Sequence, residues 1–209
     1  VPMNAKCFLL EPTNQVQRYL RRYAGSKTCP LVPGKYSYHD VKVPLDVVRE
    51  DRSTEQASKL NPDWPKLCDC GYQFEDADEW QTFTEHVYRR ADDGSTTTLS
   101  GALPGAMWFA DWMILRPDQR WFVGPDGHCL MIRGFYGDDF CPDQRASNCT
   151  LPKDDEHKCW VRVGSVPNIT IGKTGKTCGA GAGSFYFGKN PDGSFRWHGF
   201  CENGELVQR

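Results

Sequence analysis

The sequence predicts an α+β, mainly β protein: antiparallel hairpins in a meander, one short N-terminal helix, and a structural zinc that pins the fold. Three observations lead there. Gly 20 and Pro 14 in 209 residues place turns close together and favour short strands over long helices. Asp92-Asp93-Gly94, Gly124-Pro125-Asp126-Gly127, Asn190-Pro191-Asp192-Gly193 and Glu202-Asn203-Gly204 are turn signals, most of them set between stretches of strand-forming residues. Cys 10 and His 5 are enough for ligands or crosslinks to hold such a chain together.

The elements follow in order. Residues 6–11 read as a strand. Glu11-Pro12-Thr13 then opens a helix, with Thr13 as N-cap and Val16, Tyr19, Leu20 and Tyr23 recurring at helical spacing. That spacing leaves Arg18, Arg21 and Arg22 on or near the exposed side, a solvated face. Residues 25–35 form a loop, and residues 41–48 alternate like a strand that Pro44 marks as an edge. Residues 50–66 are polar and broken by Pro62 and Pro65, a mobile linker or loop inside a single domain spanning 1–209.

From Cys68 onward hairpins dominate. Residues 82–90 and 96–99 flank Asp92-Asp93-Gly94, and residues 121–123 and 129–133 flank Gly124-Pro125-Asp126-Gly127. Residues 159–163 and 168–171 are further strands, with Gly172-Lys173-Thr174-Gly175 as the next turn. Residues 185–187 and 195–200 make the last long hairpin, and Asn203-Gly204 turns the chain once more.

Bulk properties exclude several classes. A net charge of −2 supplies no electrostatic drive toward nucleic acid or an anionic membrane. No stretch reaches the roughly 18 to 20 apolar residues of a membrane span. The first ten residues lack the apolar region of a signal peptide, and Val1 reads as a literally translated GTG start codon, pointing to a bacterial or viral gene. Hydrophobic content is low at 39%, but Trp 7, Tyr 8 and Phe 11 restore the area available for burial.

The sharpest chemical signal is Cys68-Asp69-Cys70-Gly71. In an extended segment residues i and i+2 face the same way, so both sulfurs converge on one ion where Gly71 lets the backbone bend. The same spacing disfavours a disulfide between the two. Zinc needs four ligands, and Cys149, His157, Cys159 and Cys178 are the candidates for the remaining two. The preferred set is Cys68, Cys70, Cys149 and Cys159, with His157 and Cys178 as alternatives; such a thiolate-rich site is closed, hence structural. The even cysteine count also permits five disulfides.

Other motifs are weaker. Gly172-Lys173-Thr174-Gly175-Lys176-Thr177 lacks the glycine that a phosphate loop requires at Thr170. Gly179, Gly181, Gly183 and Ser184 form a small-residue run suited to close packing, or to a ligand loop completed by His198 or by Asp111. His39, His86 and His198 stand without partners at fixed spacing and read as core or surface residues. The tryptophans read as core, in the absence of a basic groove.

The motifs Cys70-Gly71-Tyr72, Tyr88-Arg89-Arg90, Pro104-Gly105-Ala106-Met107-Trp108, Ser147-Asn148-Cys149-Thr150, His157-Lys158-Cys159-Trp160-Val161-Arg162 and Thr177-Cys178-Gly179-Ala180-Gly181-Ala182-Gly183-Ser184 together resemble a family of phage and prophage proteins. The resemblance covers most of residues 65–204. The family form of the first pair is often C-x-x-C, where this chain has Cys68-x-Cys70. It implies a tailed-phage gene, expression in the host bacterial cytoplasm, and reduced thiols. It argues against glycosylation at Asn148 or Asn168, both of which carry the acceptor pattern.

The functional expectation is a phage accessory protein that binds a phage or host protein partner and catalyses nothing. The alternatives are a metal-dependent enzyme acting on nucleic acid or nucleotide, through the 179–184 loop with His198 or Asp111, and a structural component of the virion.

Overall fold

The computed structural model describes residues 4–31, 38–52, 55–109, 120–125, 129–132, 135–136, 139–140, 158–174, 184–190 and 192–209. Its strands are β1 (Ala5–Lys6), β2 (Phe8–Thr28), β3 (Tyr38–Arg49), β4 (Glu79–Arg90), β5 (Thr96–Thr98), β6 (Ala106–Phe109), β7 (Arg120–Val123), β8 (Cys129–Ile132), β9 (Phe135–Tyr136), β10 (Asp139–Phe140), β11 (Lys158–Val163), β12 (Thr170–Thr174), β13 (Phe185–Lys189), β14 (Phe195–Glu202) and β15 (Glu205–Gln208). Two short 3₁₀ turns, Glu50–Arg52 and Leu99–Gly101, are the only helical elements among the described residues. None of these is long and apolar enough to cross a membrane.

The chain divides into two compact units. One holds residues 1–11, 89–95 and 101–209, and the other holds residues 12–88 and 96–100.

In the first unit, β1, β15, β14 and β13 form a four-stranded sheet in that order. Asn203 (φ 49) and Gly204 (φ 75) both take left-handed backbone in the turn from β14 to β15, the requirement that Asn-Gly meets in a two-residue hairpin loop. Phe8 and Leu9 pair in parallel with Ala106 and Met107, and β6, β7 and β8 continue antiparallel. Strands β11 and β12 form a hairpin of their own, as do β9 and β10. The core gathers Cys7, Met107, Ile169, Ile171, Phe187, Trp197, Cys201 and Leu206.

In the second unit the strand order is β3, β2, β4, β5. The helix expected from Thr13 onward is not formed; that stretch belongs to the long strand β2. The reason lies in the arginines. Val16, Arg18, Leu20, Arg22 and Ala24 are all buried, so the true period is two, and the arginines occupy inward positions that a polarity pattern assigns to solvent.

Arg18 enters the core because Asp46 of β3 receives its guanidinium through two bonds, Nε to Oδ1 at 2.7 Å and Nη2 to Oδ2 at 2.8 Å. Arg22 enters because the Trp80 ring lies 3.5 Å from its guanidinium carbon. The outward residues Tyr19, Arg21 and Tyr23 form a half-buried layer with Phe83 of β4, in which Arg21 bonds Asp40 and Lys42 bonds Glu85. The described residues of the polar stretch after β3 form no strand, yet Trp64 among them is buried and donates its indole N–H to the Ser58 carbonyl at 2.8 Å.

Candidate metal centre

Two local features of the second unit create the site. The first is an interruption of the β2–β3 ladder. Ala24 pairs with His39 and Thr28 with Tyr38, so Gly25, Ser26 and Lys27 bulge out of register and the chain returns with Cys29 near His39. The second is a tight hairpin closed by the Leu67–Gln73 bridge. Inside it the Cys68 N–H donates to the Tyr72 carbonyl at 2.9 Å, and the Gly71 N–H donates to the Cys68 carbonyl at 2.8 Å. Gly71 sits at φ +88, a left-handed conformation that side chains rarely adopt.

Cys29, His39, Cys68 and Cys70 converge there, with all four ligand atoms within 4.8 Å of one another. The sulfurs of Cys29 and Cys68 are 3.9 Å apart, and the Cys70 sulfur is 3.3 Å from His39 Nδ1. Both cysteines of the first pair are free thiols. A tetrahedral ion with metal–sulfur bonds of about 2.3 Å holds two sulfurs about 3.8 Å apart, and a sulfur and an imidazole nitrogen about 3.6 Å apart. The donor set and its spacing therefore fit a four-coordinate metal ion. Cys29, His39 and Cys68 are buried, and Cys70 is half-buried.

The surroundings hold the ligands in place. The His39 ring stacks on Tyr72 with centroids 4.0 Å apart and planes at 11°. The Tyr72 hydroxyl donates to Asp78 Oδ2 at 2.9 Å and accepts from Lys27 Nζ at 2.7 Å. Lys27 also pairs with Glu75 at 2.8 Å, and these two contacts raise its pKa. Ala24, Cys29, Cys68 and Phe74 form an apolar cluster that Val41, Cys70 and Tyr72 complete. Burial pushes the Cys68 thiol up, whereas a hydrogen bond from the Tyr72 backbone outweighs burial at Cys70 and lowers it.

Of the ligands expected from sequence, Cys68 and Cys70 are brought together in this cluster. Their partners in it are Cys29 and His39, which sequence reasoning did not select. Cys149, His157 and Cys178 lie outside the described residues, and only the backbone of Cys159, on β11, is described. Gly179, Gly181, Gly183 and Asp111 likewise lie outside them. Ser184 precedes β13 and is half-buried, and His198 is exposed on β14 opposite Tyr186.

These features define a mainly β protein with a buried cluster of three cysteines and one histidine that can hold a metal ion. Comparison with protein-family models, curated proteins and solved structures finds no match.

Proposed function

We propose that the protein is a zinc-stabilised binding module that does not itself catalyse a reaction. The observation that carries this reading is the donor set: three thiols and one imidazole lie together, the number that would fill all four positions of a tetrahedral ion. A catalytic zinc keeps one position for water or substrate; a complete protein set leaves none. Zinc is the metal of choice because soft sulfur with one imidazole in tetrahedral spacing suits it, and because it brings no redox chemistry to three thiolates.

The binding role belongs with the phage and prophage resemblance of the sequence, and the partner is then a phage or host protein met in the bacterial cytoplasm. A metal held here would need reduced thiols, which such a compartment maintains.

Cobalt substitution tests the closed site. The Co²⁺ form should show the visible bands of a tetrahedral thiolate centre, unchanged on adding azide or imidazole. A spectrum that shifts with those ligands would reveal an open position and favour the enzyme reading instead.

A further inference from the structure

The hairpin that carries Cys68 and Cys70 is closed at its base by the Phe74 N–H, which donates to the Lys66 carbonyl at 3.0 Å. The residues just outside that base, Pro65 and Glu75, both turn their carbonyls toward one guanidinium. Arg22 donates from Nη1 to the Pro65 carbonyl at 3.4 Å and from Nη2 to the Glu75 carbonyl. Its guanidinium carbon lies 3.5 Å from the centre of the Trp80 ring and 5.2 Å from that of Phe74. Phe74 in turn belongs to the same apolar cluster as Cys29 and Cys68.

Arg22 is only 4% exposed, and its Nε has no hydrogen-bond partner. Among the described residues no carboxylate lies within ion-pair distance of it. A buried cation is costly to place, and this one is received by two carbonyls and an aromatic face, with the Asp78 and Asp76 charges acting on it without a direct ion pair. Arg18, four positions earlier on the same buried face, is the contrast: it has a two-pronged carboxylate in Asp46.

We infer that Arg22 is a positioning residue of the metal centre: it clasps both ends of the ligand hairpin and so sets Cys68 and Cys70 against Cys29 and His39. This deepens the metal reading and rests on it. The planar fork is what the task requires, since two carbonyls on separate strands of chain must be spanned by one rigid group.

Zinc affinity of the full chain, measured by competition with a chromophoric chelator, tests the inference with Arg22→Met, Arg22→Lys and Arg18→Met. Arg22→Met should bind zinc roughly 10- to 100-fold more weakly than wild type, the usual cost of losing an outer partner of a metal site. Arg22→Lys keeps the charge but not the fork and should also weaken binding; it carries the test if Arg22→Met does not fold. Arg18→Met should lose thermal stability while its folded form keeps wild-type zinc affinity. Wild-type affinity in Arg22→Lys would overturn the positioning role, as would an equal loss in Arg18→Met. A wild-type chain that takes up no zinc is a separate result, and it would overturn the metal reading itself.

Discussion

The Cys29 and Cys68 sulfurs lie 3.9 Å apart although 39 residues separate them in the chain. Both are free thiols in a cluster that could hold a metal ion, and a shared ion would give the pair a reason to meet. Replacing either with serine should abolish zinc binding. For a metal present at 1,000 times its Kd, the lost stabilisation is about 4 kcal/mol, or roughly 10 °C in Tm for a chain of this size. Cys201→Ser, in the other unit, should leave zinc content unchanged. Metal analysis and thermal unfolding of the three variants check this.

His39 does two things at once: it faces Cys70 with Nδ1 and stacks on Tyr72. The roles separate by substitution. His39→Phe keeps a ring for the stack and should lose the metal; His39→Cys loses the ring and should retain it through a fourth thiolate. Zinc competition assays on both would decide which role His39 has.

Gly71 tolerates a side chain in space but not in conformation, since nothing lies within 4 Å of an added Cβ while φ is +88. Gly71→Val should therefore cost more than 1 kcal/mol or so and weaken zinc binding with it. Gly71→Asn should be milder, because asparagine visits left-handed backbone more readily. Denaturant titration with zinc present and absent distinguishes the two.

Arg90 bonds Asp92 twice in the β4–β5 turn, at 3.0 and 2.8 Å, and this holds the Asp92 carboxyl below its usual range. A folded-state pKa that is lowered adds stability above the unfolded value, near 3.9, and loses it as pH falls through the folded one. Asp92→Asn should thus lower stability at neutral pH by less than about 1 kcal/mol, because the pair is partly exposed and screened by salt. The difference from wild type should vanish in strong acid. Denaturation midpoints between neutral pH and pH 2 or so would show it.

What the sequence revealed follows from how local each feature is. The hairpins around Asp92-Asp93-Gly94, Gly124-Pro125 and Asn190 to Gly193 were legible because a turn and its two flanking strands lie within a few residues. Cys68-x-Cys70-Gly71 was legible for the same reason. Cys29 and His39 were not, because their place depends on the β2–β3 register and its bulge at Gly25 to Lys27, and that pairing was hidden by reading β2 as a helix. The misreading itself traces to Arg18 and Arg22. Their burial depends on Asp46 and on Trp80, partners distant in the chain that no local period reports.

The most direct measurement is zinc content of the purified chain by plasma mass spectrometry, paired with a thiol count on the denatured protein. The account predicts about one zinc per chain and free thiols at Cys29, Cys68 and Cys70, with the metal lost in Cys29→Ser and in His39→Phe. A chain without metal, whose Cys29 and Cys68 are recovered as a disulfide, would contradict it.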